Sequence, residues 1–257
     1  MKKLVKELLI PGIIVVSMVA MTFMATFSDD IKTTAAVMAT SVYKSGVTLI
    51  IDPGHGGADG GAVSESGSKE SEINLAIALK LRDLAGFFGV DTIMTREAEE
   101  IPYPESAGTI REKKLYDQNS RVDLVNSTEN AILISVHQNN YPDASPSGGQ
   151  IFYTENECSM ALAGNIQEIF ASALSPESTR AANIIGDDIY LFREISCPAV
   201  LVECGFMSNP GDFALLNTES YRNKLALVIM AGYLQSEDDI NSYYGGTNES
   251  KDSILLY

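Results

Sequence analysis

Apolar runs of strand length alternate with amphipathic helical stretches through the middle of this chain, and this order constrains the fold more than any other feature. Strands are predicted at 47–52, 90–95 and 131–137, separated by helices at about 70–86 and 111–126. Further along, the predicted segments are a strand at 150–154, a helix at 157–173, a short strand or turn at 184–192, a strand at 198–203 and a helix at about 219–235. Strands that alternate with helices form parallel sheets. We therefore predict one α/β domain, with a mostly parallel twisted sheet flanked by helices on both faces.

Three predicted strands end on, or just before, a residue that binds metals or transfers protons. His55 follows the first strand, His137 ends the third, and Glu203 ends the strand that starts at Pro198. The carboxyl ends of parallel strands meet at one edge of a sheet, where ligand sites form. Catalytic zinc takes three protein ligands, and two imidazoles with one carboxylate are a recurring set. Since the chain has only two histidines, the pattern predicts a zinc site at this edge with an acidic third ligand.

The acidic third ligand has several candidates. Glu70 and Glu72 open the helix that follows the His55 loop, so both are placed at the same edge of the sheet. Asp52 and Asp59 are alternatives, although they suit the role of partners that hold the loop or orient His55. The spacing of these residues does not choose among them.

Glu203 has the features of a general base. A carboxylate at the end of an apolar strand is partly desolvated, which raises its pKa toward neutrality and allows it to accept and return a proton. A metal ion lowers the pKa of bound water to about 7. Together these features predict amide hydrolysis without a covalent enzyme intermediate.

Other interpretations of the same residues are weaker. The glycine-rich segment 54–61 resembles a phosphate loop, but Asp59 stands where the third glycine of a dinucleotide fingerprint belongs, and no Gly-Lys-Ser/Thr follows. Cys204 is a possible nucleophile, yet neighbouring strand residues point to opposite faces, so it faces away if Glu203 faces the site. A single histidine or glutamate at a strand end is commonly structural, and only their joint placement favours a metal site.

Both ends of the chain differ in composition from the middle. Residues 8–27 carry no charge and follow Lys2, Lys3 and Lys6, and twenty such residues can span a bilayer. We favour a membrane anchor over 1–27, because no Ala-x-Ala site follows; the alternative is a signal segment whose cleavage would give a secreted protein. The predicted domains are then this anchor, a linker at 28–46, a catalytic domain at 47–235 on the outer side of the membrane, and a loose acidic tail at 236–257.

The net charge excludes one class of partner. The formal net charge is −16 at pH 7, and such a field disfavours nucleic acid, so any wall polymer must be recognised by local contacts. Three cysteines do not indicate a disulfide framework.

The ordered motifs resemble those of the zinc-dependent N-acetylmuramoyl-L-alanine amidases that cleave bacterial peptidoglycan, known as type 3 amidases. The resemblance runs from about Thr48 to Leu234. The motifs are Ile-Asp-Pro-Gly-His-Gly-Gly-Ala-Asp-Gly-Gly-Ala at 51–62, Lys-Glu-Ser-Glu-Ile-Asn-Leu at 69–75, Met-Thr-Arg at 94–96, Ser-Arg-Val-Asp-Leu-Val-Asn at 120–126, Ile-Ser-Val-His-Gln-Asn at 134–139 and Pro-Ala-Val-Leu-Val-Glu-Cys-Gly-Phe-Met-Ser-Asn-Pro at 198–210.

The resemblance implies zinc on His55, Glu70 and His137, with Glu203 as the catalytic carboxylate. It thus selects Glu70 over Glu72. It also implies that Arg193 and Asn139 lie near the substrate. The sequence departs from the family at Cys204, Gln138 and Asn140, which affects substrate selection rather than the metal site.

The single apolar segment and the stretches 178–180 and 189–193 are similar to the sporulation amidases that prepare spore cortex. We expect peptidoglycan as the substrate, with cortex and vegetative wall both open and an activating protein as a possible partner. Two other functions are retained: a peptidoglycan-binding protein that is non-catalytic or needs a partner for activity, and a zinc peptidase that cuts within the stem peptide.

Overall fold

The computed structural model describes residues 46–252, and the strands in this part form one six-stranded sheet. In chain order the strands are β1 (Thr48–Pro53), β2 (Thr92–Met94), β3 (Ala131–Asn139), β4 (Gln150–Tyr153), β5 (Asn183–Ile184) and β6 (Ala199–Phe206). Their order across the sheet is β2-β1-β3-β6-β4-β5. The first four in this order are parallel, whereas β4 is antiparallel to β6 and parallel to β5. The predicted mostly parallel sheet is confirmed.

Helices connect these strands in the order that the sequence predicts. Within the described residues they are α1 (Glu70–Phe88), α2 (Ile110–Ser127), α3 (Glu157–Leu174), α4 (Tyr190–Glu194), α5 (Pro210–Leu216), α6 (Glu219–Gln235) and α7 (Glu237–Asp252). Local sequence fixes several starts: the Thr109 side chain accepts a hydrogen bond from the Glu112 amide, and Glu112 bonds back to the Thr109 amide in a capping box. Each long helix can then cover the sheet with its apolar face.

The sheet is covered on both faces because alternate strand residues point to opposite sides. In β1, Leu49 and Ile51 join the larger core with α1, α3 and α6, whereas Ile50 joins a smaller core with residues of α2 and α4. All three side chains are fully buried. Helices on both faces, as predicted, hold the sheet and therefore its carboxyl edge in place.

Three segments differ from the prediction. Strand β6 continues past Glu203 to Phe206, because the apolar run resumes after the glutamate. Residues 190–194 form the short helix α4 instead of a strand or turn. The helix α5 was not predicted; the Asn209 side chain starts it by accepting hydrogen bonds from the amides of Gly211 and Asp212.

The prediction of a loose acidic tail from residue 236 is wrong for the part that the structure describes. Helix α7 covers Glu237–Asp252, and Ile240 within it is only 2% exposed. Tyr243 and Tyr244 pack against the same core, and the Tyr244 hydroxyl donates to the carbonyl of Ala131 at the start of β3. Ile240, Tyr243 and Tyr244 stand at positions i, i+3 and i+4 and form an apolar stripe, although most other residues of this helix are acidic or polar. Residues 253–257 lie outside the described part.

The predicted anchor at 1–27 and nearly all of the linker at 28–46 also lie outside the described residues. Among residues 46–252, none of the helices has the length and apolar character needed to span a bilayer.

Candidate metal centre and active site

The loop after β1 places His55 at the carboxyl edge of the sheet. His55 has φ +60°, a left-handed conformation that non-glycine residues rarely adopt. Its carbonyl oxygen accepts hydrogen bonds from Arg96 Nε at 2.7 Å and Arg121 Nη2 at 2.6 Å. Such backbone strain costs about 1–3 kcal/mol and persists where the surroundings enforce it. The two guanidinium groups therefore hold the backbone conformation from which the imidazole projects.

Glu70 opens α1 and is 4% exposed. Its Oε2 accepts from the Ala62 amide at 2.9 Å, and its Oε1 accepts from the Gln138 amide at 3.2 Å. Asn74 Nδ2 adds a third donor at 3.3 Å. The side chain of Glu72, in contrast, is 54% exposed and lies near Lys69. The geometry thus favours Glu70, the choice that the spacing left open.

His137 meets His55 and Glu70 from the neighbouring strand β3. Its Nδ1 lies 3.1 Å from Glu70 Oε1, and His55 Nε2 lies 3.3 Å from the same oxygen. One ligand atom from each of the three residues lies within 4.8 Å of the others. Gly54 makes this approach possible, because a Cβ there would stand 2.1 Å from His137 Nε2.

The donor set and its electrostatics fit a divalent cation. Burial lowers the pKa of His55, but its hydrogen bonds to Asp59 and Glu70 outweigh this and raise it to about 9. Burial raises the pKa of Glu70, but both imidazoles oppose it and hold the pKa far below its usual range. A carboxylate that stays charged among two imidazoles favours a positive charge beside it, and zinc takes this combination of ligands.

Asp59 and Asp52 take supporting positions. Asp59 Oδ2 lies 3.1 Å from His55 Nδ1, which leaves Nε2 facing Glu70. A carboxylate on the outer imidazole nitrogen is the usual device for orienting a metal ligand. Asp52 is 1% exposed and bonds Thr95, Ser135 and Arg121 instead, so it stabilises the end of β1.

Glu203 lies beside the metal candidates without joining them. It is the direct Cα partner of His137 in the parallel pairing of β3 and β6. Its Oε2 is buried, and no hydrogen-bond partner is found for it among the described residues. Burial raises the pKa of Glu203 to about 7, with Glu70 adding to the rise and the histidines opposing it. A carboxyl group of this kind can exchange protons near neutral pH.

The other two predicted substrate residues are not joined to this cluster. Arg193 bonds Glu194 at 2.9 Å and stacks on Tyr190. The neighbouring Glu194 carbonyl accepts a hydrogen bond from Asn126 Nδ2, near the end of α2. Tyr190 in turn hydrogen-bonds through its hydroxyl to Asn119 Oδ1 of α2 at 2.8 Å.

Asn139 is the last residue of β3 and its carbonyl accepts from the Met207 amide, with its side chain partly buried. Roles for Arg193 and Asn139 in substrate binding stay predictions.

Sequence reasoning assigned no role to the two buried arginines. Arg96 is 8% exposed and Arg121 is 6% exposed. Besides His55, both donate to the Pro53 carbonyl, and Arg96 also donates to that of Gly54. Both occur within motifs that carried the resemblance. One sequence feature indicates that Arg121 is buried. It lies four residues before the apolar Val125, and residues at this spacing share one face of a helix.

Comparison with known proteins gives consistent matches. The profile of a family described as N-acetylmuramoyl-L-alanine amidase matches residues 49–235. The germination-specific N-acetylmuramoyl-L-alanine amidase of Bacillus subtilis is 38% identical over 197 residues, covering 74% of this chain and 80% of the relative.

Solved structures give the same result. The CwlD amidase of Clostridioides difficile, determined in complex with the GerS lipoprotein, is 35% identical with a TM-score of 0.71 and covers 75% of this chain and 98% of its own. The catalytic domain of CwlV, an N-acetylmuramoyl-L-alanine amidase from Bacillus (Paenibacillus) polymyxa var. colistinus, is 27% identical with a TM-score of 0.62, covering 75% and 98% respectively.

Proposed function

Since this chain belongs to the N-acetylmuramoyl-L-alanine amidase family, we propose that it hydrolyses the amide between N-acetylmuramic acid and L-alanine of peptidoglycan by a zinc-dependent mechanism. His55, Glu70 and His137 would hold the ion, and Glu203 would be the catalytic carboxylate. The observation that carries this proposal is the convergence of the three ligand atoms within 4.8 Å, beside a carboxylate whose oxygen is buried and unbonded among the described residues.

Catalytic zinc needs three protein ligands and one further position for water or substrate, and His55, Glu70 and His137 would supply the three protein ligands. When bound, zinc supplies Lewis acidity, polarising a carbonyl and lowering the pKa of water. The rest of the chemistry falls to protein side chains. Asp59 keeps the outer nitrogen of His55 protonated, and the Glu70 carboxylate is held by the Ala62 and Gln138 amides.

Glu203 performs the proton transfers in this proposal. Its carboxylate accepts a proton from the water whose oxygen bonds to the scissile carbonyl carbon. As the carbon–nitrogen bond breaks, the same proton passes to the alanine nitrogen. The products are a carboxylate on the muramyl side and a free amino group on the peptide. A carboxyl with a pKa near 7 suits both halves of this transfer.

The test is product analysis with the full chain in mild detergent. Purified peptidoglycan should release stem peptides with an amino-terminal alanine, identified by mass spectrometry. Removal of zinc with a chelator should abolish release, and added zinc should restore it. Full activity without zinc would contradict the mechanism, and cuts within the stem peptide would instead show a peptidase.

Glu203→Gln tests the proton-transfer role. General acid–base catalysis contributes about 10²–10⁴-fold, so kcat should fall by this factor while zinc content stays unchanged. Glu72→Gln is the matched control, since that glutamate is exposed, lies near Lys69 and is not one of the three clustered residues. Equal activity of the two variants would exclude Glu203 from the reaction.

We also propose spore cortex as the substrate. The relative that is 38% identical is named a germination-specific amidase, which supports this choice. Purified cortex and vegetative peptidoglycan, compared at equal muramic acid content, distinguish the two. Faster release from vegetative wall would reject the cortex assignment and leave the amidase assignment intact.

The proposed location is the outer face of the bacterial membrane, with residues 1–27 as anchor. This rests on the uncharged segment 8–27 alone. Fractionation of cells that produce the full chain or a chain lacking residues 2–27 tests it. The proposed activating protein is supported by one relative having been solved with a lipoprotein. Activity of the pure chain equal to that in cell extract would make such a protein unnecessary.

A further inference from the structure

A row of side chains extends from the metal candidates across the sheet, beyond Glu203. His137, Glu203 and Gln150 are direct Cα partners in the adjacent strands β3, β6 and β4. Directly paired residues place their side chains on the same face of a sheet. Gln150 therefore lies one strand spacing of about 4.8 Å beyond Glu203, on the side away from His137.

Arg180 continues this row. Its Nη1 donates to Gln150 Oε1 at 3.4 Å, and its guanidinium lies 5.1 Å from the ring centre of Phe206, the last residue of β6. Gln150 is held in turn by donating Nε2 to the Ala181 carbonyl at 2.6 Å. A buried ring on one side and a fixed amide on the other keep this guanidinium at the carboxyl edge.

Among the described residues, no carboxylate lies within ion-pair distance of Arg180, and the one acidic residue that lines the same surface cleft, Glu177, forms no ion pair with it. For the side chains that the structure describes, at residues 46–245, the bond to Gln150 is the one hydrogen bond of the Arg180 guanidinium. The chain has 34 acidic and 18 basic residues, so a partly buried arginine without a carboxylate partner is notable here. Arg121, by comparison, bonds both Asp52 and Asp117. Free guanidinium donors arranged in a fork match a carboxylate in a bidentate geometry.

The surface at Arg180 has room for a ligand. Residues 145–148 and 175–180 line an open cleft of about 450 Å³, and Arg180 is part of its wall. The cleft and the row that contains Glu203 thus share this residue.

We propose that Arg180 binds a carboxylate of the stem peptide and so selects peptides with a free acid close to the scissile alanine. The inference rests on the proposed function. Glu203 passes its proton to the leaving nitrogen, so the peptide side of the substrate begins at Glu203. Gln150 and Arg180 come next in the direction away from the metal candidates. A stem peptide that extends this way brings its carboxylates to Arg180.

The experiment compares two synthetic muropeptides that differ in whether the stem carboxylates next to alanine are free or amidated. Charged hydrogen bonds contribute about 1.5–3 kcal/mol, or roughly ten- to hundredfold. Arg180→Gln should lower kcat/KM for the acidic substrate by this factor, mainly through KM, and by less than about threefold for the amidated one. Arg180→Lys should recover part of the loss.

The control is Lys224→Gln, which removes an exposed positive charge on α6 and should leave the preference unchanged. The melting temperature and zinc content of Arg180→Gln should equal those of the wild type. Equal losses on both substrates, or an unchanged preference for the acid in Arg180→Gln, would overturn the proposal.

Failure of the proposed function is distinguishable from failure of this inference. If the wild type cleaves neither muropeptide, the amidase mechanism fails, and Arg180 is then judged by calorimetric binding of the free stem peptides. Tighter binding of the acidic peptide that Arg180→Gln abolishes supports the subsite. Equal binding of the two peptides refutes it.

Discussion

The two sides of the segment Pro53–His55 differ in how their charges are balanced. On the carbonyl side, Arg96 and Arg121 satisfy the backbone oxygens, and Asp52 neutralises Arg121. On the imidazole side, Glu70 stays charged, and Glu203 carries a buried oxygen without a partner among the described residues. Protein groups alone balance the charges on the carbonyl side, which we call the complete side. They do not do so on the imidazole side, which we call the incomplete side. The comparison shows that this fold satisfies its buried charges closely except where a cation and substrate are proposed to bind.

Arg121→Ala removes the cation that neutralises Asp52 on the complete side, and it should have the largest effect of the changes considered, on the free energy of unfolding. It leaves Asp52 buried without its cation, and such a loss costs about 3–5 kcal/mol. Urea unfolding of the metal-free chain measures the change in the free energy of unfolding. Arg111→Ala, at an exposed position of the same helix, is the control and should change it by less than about 0.5 kcal/mol. Equal losses in both variants would mean that the carbonyl side is not held by this pair.

Asp59→Asn weakens the incomplete side. Loss of a carboxylate partner on a histidine ligand typically lowers metal affinity about 10–100-fold, and Asp59 lies 3.1 Å from His55 Nδ1. Competition with a chromophoric chelator measures zinc affinity. The free energy of unfolding of the metal-free chain should change much less than in Arg121→Ala. A large loss of metal-free stability with unchanged zinc affinity would reverse the comparison.

The stability of the complete side depends on pH in the acid range. Burial raises the pKa of Asp52, but Arg121, Ser135 and Thr95 outweigh it and lower the pKa from 3.8 to about 2. Stabilisation by this carboxylate is therefore present above pH 3.8 and is lost as the pH falls toward 2, a change of about 2 kcal/mol. The difference in the free energy of unfolding between wild type and Asp52→Asn should shrink by this amount from pH 5 to 2. A difference that does not vary with pH would refute the assigned pKa.

Lys114→Gln should have the smallest effect on zinc affinity, and it tests whether Asp59 depends on Lys114 for its position. Lys114 Nζ lies 2.8 Å from Asp59, but its side chain is 46% exposed. Exposed ion pairs contribute about 0–1 kcal/mol, so zinc affinity should change less than about fivefold. Lys113→Gln serves as control because its contact is with Tyr103. A loss as large as that of Asp59→Asn would show that Asp59 depends on Lys114 for its position.

The sequence predicts the sheet and the cluster well because both follow from short-range patterns. Apolar runs such as 131–137 specify strands, and strand ends place His55, His137 and Glu203 at one edge. Spacing alone did not choose between Glu70 and Glu72, since both lie in the first turn of α1; the family resemblance selected Glu70, and the coordinates agree.

Contacts between residues that are far apart in the sequence were not predicted, because short-range patterns carry no information about them. Arg121 is 69 positions from Asp52, and local sequence does not show which buried charges meet at such a separation. Helix α7 was missed because its apolar residues are few and lie among acidic ones, although Ile240 is fully packed. Arg180 precedes β5 and Phe206 ends β6, so their contact depends on the pairing of β4 with both of these strands.

The central claim is that His55, Glu70 and His137 bind one zinc ion. Diffraction data collected on both sides of the zinc absorption edge, from crystals of the zinc-loaded chain, test it most directly. We predict one anomalous peak per chain, with His55 Nε2, His137 Nδ1 and a Glu70 oxygen at about 2.0–2.2 Å. A peak at any other position, or none at this cluster in a preparation with full amidase activity, would contradict the claim.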